Sequence, residues 1–446
     1  MNISEDVVDF ILRKEAGIDE SIIDTVWPCI LDYLGCAIAG SYMMQNEIKE
    51  LDTNLGGAGN IPIIGCRRRS NPLSATLING MEAHVAELDD GYRYGMLHPG
   101  APVLSALLTA ASVGIIKDGR SFIKGIIMGY EIACRLAEAI QPGHKLKGYH
   151  ATATCGTVSS AIAVGIAADY TRQQLLQTLS AAVTSASGVL EMIDAPSQLK
   201  PYNVGRAALN GYISAGVGKI GLSGPKDPLG GNRGFFKSMA EDVNQEALLA
   251  EEPGCKFQQR YTKAYAACRH CHSAIEAALM LADTYGFEEH EVRSIDIHTY
   301  KLAIYGHDQR CVSSVSGAKM STPFSVAAAI ITGNAGLETF TEENVHNEVI
   351  QSLASKVHVL EDKQLTEISP GKRSAIVDIN LKNGKTLRQT VDHPLGEPEN
   401  PISEEELQKK FFSLGRYAGK SDEELRILAD TTINIKNNLS EWINLL

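Results

Sequence analysis

The stretch His84–Gly100, HVAELDDGYRYGMLHPG, lies between two apolar segments and organises the chain around it. Asp90-Gly91 is a turn dipeptide and Pro99 cannot continue a helix, so we expect a loop from this turn to the end of the stretch. The flanking segments INGMEAHVAELDD and APVLSALLTAASVGII both predict helices, the second buried along most of its surface. Acids, an arginine and a histidine on such a loop suit the floor of a polar pocket. The alternative is that the acids only cap a helix end and the histidine is an ordinary loop residue.

Composition and charge limit the class of protein. A chain of 446 residues exceeds the size at which single cores usually divide, so we expect two domains. A hydrophobic content of 44% with 21% charged residues is typical of a soluble globular protein. The net charge of -12 argues against nucleic acid as a partner, because a phosphate backbone requires a basic surface. An anionic substrate would therefore need a locally basic pocket.

The sequence predicts a cytoplasmic protein with no membrane partner. The first residues, MNISEDVVDFILRKEAG, place acids before a short apolar run and lack the small-residue cleavage site of a secretory signal. We expect no stretch with the roughly 20 apolar residues that a membrane span needs. The segment from Val103 to Ile116 comes nearest and is too short. The nine cysteines do not show the spacing typical of a disulfide framework, so we expect them to be reduced thiols.

The distribution of residue types along the sequence predicts a mostly α-helical protein with a smaller α+β part. Segments rich in Ala, Gly and Ser before residue 258 predict closely packed helices, and the tail is helical again. That tail begins at Ser403, with Glu406 completing a capping box. Between them, strand-like alternation and a hairpin turn at Asn383-Gly384 indicate mixed structure. We therefore predict a large all-helical domain from both chain ends, residues 1–258 and 396–446, with an α+β domain inserted at 259–395.

The segment CRHCH, from Cys268 to His272, matches the haem-attachment pattern C-x-x-C-H, but haem is attached in this way outside the cytoplasm. A zinc site would need a second ligand group at finger spacing, and a redox C-x-x-C would need a βαβ context. We therefore expect no metal here. Arg269 and His272 should face a pocket while the cysteines pack. The sequence also has no nucleophile elbow, zincin, Walker or kinase motif.

Several basic residues in separate segments lie at predicted junctions between loops and helices: His98, His150, Lys200 and His272. Lys200 precedes a proline and should be extended, with a surface position and a pocket position equally open. Together with Arg93 and Arg269 it can form charge-assisted bonds to carboxylates, and histidines carry protons near neutral pH. Such a set suits acid–base chemistry on a polycarboxylate. A base removes a proton next to a carboxylate, and cations hold the resulting anion.

Five blocks of the sequence resemble, in order, those of the MmgE/PrpD family, which includes 2-methylcitrate dehydratase, cis-aconitate decarboxylase and iminodisuccinate epimerase. The blocks are AELDDGYRYGMLHPGAPVLSALL, GYHATATCGTVSSAIAVG, LKPYNVGRAALNGYISAGVGKIGLSGP, KAYAACRHCHSAIEAAL and HPLGEPENPISEEELQKKF. The resemblance implies a helical domain from both chain ends, a smaller α+β lid domain and an active site in the cleft. It also implies no metal or organic cofactor and a homodimer.

The resemblance also identifies residues. His98 matches the family's His-Pro block, His150 its Gly-aromatic-His block, Lys200 its Lys-Pro block, and His272 the histidine after its Cys-Arg pair. Two departures stand out, because Glu87 and Gly91 occupy positions where the decarboxylase and the dehydratase have Asp and Thr. A carboxylate displaced by about 1 Å can slow a reaction by on the order of 10²-fold.

We therefore predict an enzyme acting on a small di- or tricarboxylate, with elimination or decarboxylation by a lyase slightly favoured. Epimerisation of an α-substituted dicarboxylate is the first alternative, and a non-catalytic carboxylate-binding protein is the second. The predicted catalytic residues are Glu87, Asp90, His98, His150 and Lys200. The predicted substrate-binding residues are Arg93, Arg269 and His272.

Overall fold

The computed structural model describes residues 2–193 and 197–446, and helices account for most of them. The helices are α1 Ile3–Ala16, α2 Glu20–Ile23, α3 Trp27–Met43, α4 Gln45–Asn54, α5 Pro72–Val85, α6 Gly100–Ser112, α7 Gly119–Ile140, α8 Gly143–Leu146, α9 Ala151–Ala167, α10 Arg172–Ser185, α11 Lys200–Lys219, α12 Phe235–Met239, α13 Gln245–Leu249, α14 His272–Tyr285, α15 Val315–Met320, α16 Thr322–Thr332, α17 Glu342–Val345, α18 Glu348–Ser355, α19 Lys363–Ile368, α20 Glu404–Tyr417, α21 Asp422–Ile433 and α22 Ile435–Leu445. The strands are β1 Ile61–Ile63, β2 Arg68–Ser70, β3 Val292–Thr299, β4 Val357–Glu361, β5 Ala375–Leu381 and β6 Thr386–Val391.

The chain divides into two compact units. Unit 1 comprises Met1–Met192, Leu199–Arg260 and Ser403–Leu446, so both ends of the chain build it. Unit 2 comprises Ile193–Gln198 and Tyr261–Ile402. Unit 1 is helical apart from the two-stranded β1–β2 sheet, and unit 2 contains the four-stranded sheet. The prediction of a mostly helical protein with a smaller α+β part is confirmed.

Small residues allow the helices of unit 1 to approach closely. Helices α5 and α11 cross where Gly80 faces Gly205: a Cβ on Gly80 would lie 2.7 Å from the Cα of Gly205. A Cβ on Gly205 would collide with the backbone carbonyl of Leu77. This crossing lies within two helical turns of the C-terminal end of α5 and of the N-terminal end of α11. It therefore fixes two helix ends relative to one another.

Helix termini in unit 1 follow ordinary capping chemistry. The side chain of Ser403 accepts a hydrogen bond from the backbone N–H of Glu406, which completes the predicted capping box of α20. Lys200 is the first residue of α11 rather than an extended residue before it. The expectation of an extended Lys200 is wrong because Pro201 falls in the first turn, where its missing N–H costs no intrahelical hydrogen bond.

The sheet of unit 2 has the strand order β4-β3-β5-β6. Strands β3 and β4 are parallel, whereas β3–β5 and β5–β6 are antiparallel. The last pair is the hairpin expected at Asn383-Gly384, where Gly384 adopts a φ of 87°. Glycine suits this left-handed position because it has no Cβ.

One stretch, Glu20–Met43, is long and apolar enough to cross a membrane by length and composition alone. The expectation that no stretch reaches this length is wrong. In its most apolar window 72% of the residues are buried inside the protein, as in the core helix of a globular fold.

The α5–α11 crossing yields a stability prediction. Gly205→Ala should lower the free energy of unfolding by about 1–3 kcal/mol, because the added methyl group collides with the backbone carbonyl of Leu77, and moving the Met81 side chain, which it also meets, does not relieve that collision. Gly216→Ala on the same helix is the matched control, since a Cβ there meets nothing within 4 Å. It should instead stabilise the protein by about 0.5–1 kcal/mol. Urea unfolding of both variants measures the difference, and equal effects would contradict the packing described.

Candidate active site

The loop between α5 and α6 begins with an unusual backbone conformation. Glu87, two residues beyond the end of α5, has a φ of 56°. The residue that adopts this left-handed conformation after a helix is usually glycine, and other residues adopt it at a cost of about 1–2 kcal/mol. A buried glutamate in this position indicates that its side chain has a role. The loop then closes on itself through the N–H of Tyr92, which donates to the carbonyl of Leu97 at 2.9 Å.

The carboxylate of Glu87 forms an ion pair with Lys200. Its Oε1 accepts a hydrogen bond from the Nζ of Lys200, the first residue of α11. The two side chains are only 10% and 17% exposed. Because little water screens the charges, the attraction is much stronger than between surface residues. Lys200 is therefore partly buried against Glu87 in unit 1, rather than extended into solvent.

A histidine–carboxylate contact lies beside this ion pair. The Nδ1 of His84 donates to Oδ2 of Asp89 at 2.7 Å, and its Nε2 lies 3.8 Å from Oε1 of Glu87. His84 is fully buried, and it lies on the last turn of α5. Sequence reasoning missed His84 as a site residue. The available signal was its position three residues before Glu87, which would share a face with it if the predicted helix continued through Glu87, although α5 ends at Val85.

His98 and His150 approach the same region from the far end of the loop and from α9. The Nδ1 of His98 donates to the carbonyl of Asp90 at 2.6 Å, which leaves Nε2 as the nitrogen that can exchange a proton. The His98 ring lies 5.0 Å from the His84 ring. His150 precedes α9, is 6% exposed, and its Nδ1 has no hydrogen-bond partner among the described residues. Burial and the charges of Lys200, His84 and His98 lower its pKa well below the usual value, so it is neutral.

The carboxyl group of Asp90 is turned toward the helices that support the loop. The hydroxyl of Tyr130 donates to its Oδ2 at 2.5 Å, and the N–H of Gly100 donates to its Oδ1 at 3.2 Å. Burial raises the pKa of Asp90 to about 7 despite the hydrogen bond from Tyr130. A Cβ on Gly100 would lie 2.7 Å from Oδ1, so only glycine permits this approach. Asp90 thus holds the loop, and its backbone carbonyl orients His98.

The C-terminal segment supports the same loop. The Nζ of Lys410, on α20, donates to Oδ1 of Asp32 at 2.6 Å and to the carbonyl of Leu88 at 2.8 Å. Asp32 lies on α3 and is buried. A single lysine therefore connects the last part of unit 1, its N-terminal part and the residue that follows Glu87.

The predicted binding residues are divided between the units. Arg93 lies on the loop of unit 1, is buried, and places its guanidinium 5.0 Å from the ring centre of Tyr94. In unit 2, Arg269 donates twice to Oε1 of Glu397, at 2.9 and 3.0 Å. The Nδ1 of His272 accepts from Arg269 at 2.9 Å. Arg269 and His272 thus contact one another inside unit 2, and their role in binding substrate stays a prediction.

Three groups, His84, Asp89 and His98, bring potential metal-ligand atoms within 4.8 Å of one another. The Nδ1 of His98 is bonded to a backbone carbonyl, which can only accept, so this nitrogen carries a proton. A protonated nitrogen cannot bind a metal, so His98 could offer a metal only its Nε2. The contacts that the structure shows within this group are hydrogen bonds and close ion pairs.

The Glu87–Lys200 pair yields a prediction on coupling. In a double-mutant cycle of Glu87→Gln and Lys200→Met, the two unfolding free energies should be non-additive by about 1–3 kcal/mol, because either single change removes the same direct interaction between two poorly solvated charges. Urea unfolding of the original protein, the two single variants and the double variant measures this coupling energy. The control is the Glu405–Lys409 pair, whose side chains are 79% and 71% exposed and for which we expect no measurable coupling. Additive effects at Glu87 and Lys200 would contradict the pair.

The buried carboxyl of Asp90 yields a prediction on pH. A folded-state pKa of about 7, above the unfolded value of about 3.9, means that its stabilising contribution is complete below pH 3.9 and is lost as the pH rises to 7. Asp90→Asn removes this loss, so the stability of the variant relative to the original should increase with pH. The total gain should reach at most about 4 kcal/mol, levelling off above pH 7. Unfolding in urea between pH 4 and 8 tests this, and a pH-independent difference would contradict it.

Comparison with known proteins agrees with this architecture. The MmgE/PrpD N-terminal domain model matches residues 6–247 and the MmgE/PrpD C-terminal domain model matches residues 265–434. Cis-aconitate decarboxylase of Aspergillus terreus is 26% identical over 435 residues, covering 92% of this chain and 88% of the relative. Human cis-aconitate decarboxylase is 23% identical over 366 residues, covering 77% and 72%. The mitochondrial 2-methylcitrate dehydratase of Yarrowia lipolytica is 23% identical over an alignment of 486 residues, covering 99% and 89%. This chain belongs to the MmgE/PrpD family.

Proposed function

We propose that the protein is a lyase that removes a proton next to a carboxylate of a small di- or tricarboxylate, without a metal or an organic cofactor. The observation that carries the proposal is the buried Glu87–Lys200 pair with His84, His98 and His150 around it. A cation, a carboxylate and imidazoles in one largely buried region are the groups that this chemistry needs. The named relatives, a decarboxylase and a dehydratase, support the reaction class.

Each group has its own role in this proposal. Lys200 binds a substrate carboxylate and stabilises the negative charge that develops on it when the neighbouring proton leaves. His98, with its proton held on Nδ1, uses Nε2 to accept or return that proton. His150 is neutral and also accepts. Glu87 sets the position of Lys200 and takes part in acid–base exchange.

Other residues of unit 1 support this centre. His84, held by Asp89, faces Glu87 and fixes its carboxylate, and Asp90 positions His98 through its carbonyl. Arg93 supplies a second cation from the loop. We retain Arg269 and His272 as candidate carboxylate-binding residues on the family resemblance.

We also propose a cytoplasmic homodimer with no nucleic acid or membrane partner. The thiol form of the nine cysteines is consistent with a reducing compartment. The net charge of -12 disfavours binding to nucleic acid. The dimer rests on the family resemblance alone.

The alternative is epimerisation of an α-substituted dicarboxylate. Two histidines of the site, His98 and His150, can each carry a proton, and an epimerase removes a proton with one group and returns it with another. Glu87 and Gly91, which replace the Asp and Thr expected from the decarboxylase and the dehydratase, favour a reaction different from theirs. A non-catalytic carboxylate-binding protein is the second alternative.

Proton NMR in D₂O distinguishes these functions. The protein is incubated with 2-methylcitrate, citrate, cis-aconitate, iminodisuccinate and aspartate-derived dicarboxylates. A lyase converts one of them, with new vinylic signals from elimination or loss of a carboxyl group from decarboxylation. Exchange of a Cα proton without net product would establish an epimerase instead. A carboxylate that raises the melting temperature without turnover or exchange would establish the binding protein.

Two variants test the assigned roles once a substrate is known. Lys200→Ala should lower kcat/KM by about 10²–10³-fold, because it removes the charge that stabilises the transition state. Glu87→Gln should still bind substrate while losing turnover. Lys409→Ala, an exposed lysine on α20, is the control and should leave activity unchanged. Full activity in Lys200→Ala would overturn the proposed arrangement.

A further inference from the structure

Cys268 in unit 2 lies beside an imidazole that is oriented to receive its proton. Its Sγ lies 3.8 Å from Nε2 of His307. The Nδ1 of His307 donates to the carbonyl of Met320 at 2.7 Å, so in the neutral ring the proton is on Nδ1 and Nε2 is the acceptor. A thiol, a base and a third group that orients the base form the arrangement that activates cysteine nucleophiles.

Both members of this pair are hydrogen-bonded to one short segment, residues 319–322. The N–H of Cys268 donates to the carbonyl of Lys319 at 2.8 Å, and the N–H of Thr322 donates to the carbonyl of His307 at 2.8 Å. With the bond from His307 to Met320, these contacts fix both residues to the junction of α15 and α16. The pair is therefore anchored to the fold and does not depend on a flexible side chain.

The charged groups around Cys268 favour the thiolate. Arg373 is buried and interacts electrostatically with Cys268. Arg269, a second buried arginine and the next residue in sequence, forms its ion pair with Glu397. Further titratable groups of this region are two buried tyrosines, a second cysteine, a second histidine and a buried lysine: Tyr261, Tyr300, Cys271, His270 and Lys319. His270 lies with its ring centre 5.1 Å from that of His307.

We propose that Cys268 and His307 form a thiol–imidazole pair that makes Cys268 a nucleophilic modification site for carbon electrophiles carrying a carboxylate. The thiol proton moves to Nε2 of His307, and the Sγ electron pair attacks the electrophilic carbon. With iodoacetate a C–S bond forms, the C–I bond breaks and iodide leaves. Arg373 attracts the carboxylate of the reagent. Cys268 is partly exposed, which gives the reagent access.

Alkylation of the intact protein between pH 5.5 and 9.5, followed by peptide mass spectrometry, tests the proposal. The pH midpoint of the Cys268 alkylation rate should lie at least about 1 unit below the 8.5 of an ordinary thiol. Cys66 is also partly exposed, but burial raises its pKa to about 12, and Cys311 is exposed, so these two are internal references. The ratio of the rates with iodoacetate and iodoacetamide should be higher at Cys268 than at Cys311. Using a ratio removes the effect of differing exposure.

The variant His307→Asn identifies the base. Its side-chain amide can still donate to the Met320 carbonyl but has no equivalent of Nε2, so the Cys268 midpoint should rise by about 1 unit or more. A melting temperature close to that of the original protein shows that the variant is folded. A Cys268 midpoint in the original protein at or above 8.5 would overturn the pair without any variant. An equal rate ratio at Cys268 and Cys311 would overturn the preference for charged reagents.

Discussion

The close crossing of α5 and α11 is the constraint on which the candidate site depends. Glycines at the contact let the two backbones approach, and this brings Glu87, two residues after α5, against Lys200, the first residue of α11. Glu87 and Lys200 are far apart in sequence, but their positions are set by two rigid helices rather than by a flexible loop. Removing two charges from water is costly unless their geometry is well defined, and the crossing provides that geometry.

The groups around this ion pair have separate tasks because each has a different partner. Asp89 binds His84, while the Asp90 carbonyl binds His98 and the Asp90 carboxyl binds Tyr130. Two adjacent acids therefore point to different neighbours, one toward the imidazoles and one toward the supporting helices. The left-handed backbone at Glu87 turns the chain so that this division is possible. Backbone strain of this kind persists where the surrounding structure holds it in place.

Much of this fold could be predicted from the sequence because its signals are local. Hydrophobic periodicity, small residues and a capping box predicted the helices, and Asn383-Gly384 predicted the hairpin. The site was predicted less completely because its contacts are not local. His84 reaches Asp89 only through the left-handed turn, which no spacing rule predicts for a glutamate. The partner of Arg269, Glu397, lies 128 residues away, and nothing near Arg269 indicates it.

Because Lys410 holds the loop after α5, that loop gains its full support only when the C-terminal segment has been synthesised. The residue that follows Glu87 is held through its carbonyl by a lysine from the last segment of unit 1. Unit 2 lies between these parts in the sequence, so the ribosome completes unit 2 before it supplies this lysine. A nascent chain that ends before Ser403 leaves the Asp32 carboxylate and the Leu88 carbonyl without their cation. The loop of the candidate site therefore gains its last support late, after the whole intervening unit has been translated.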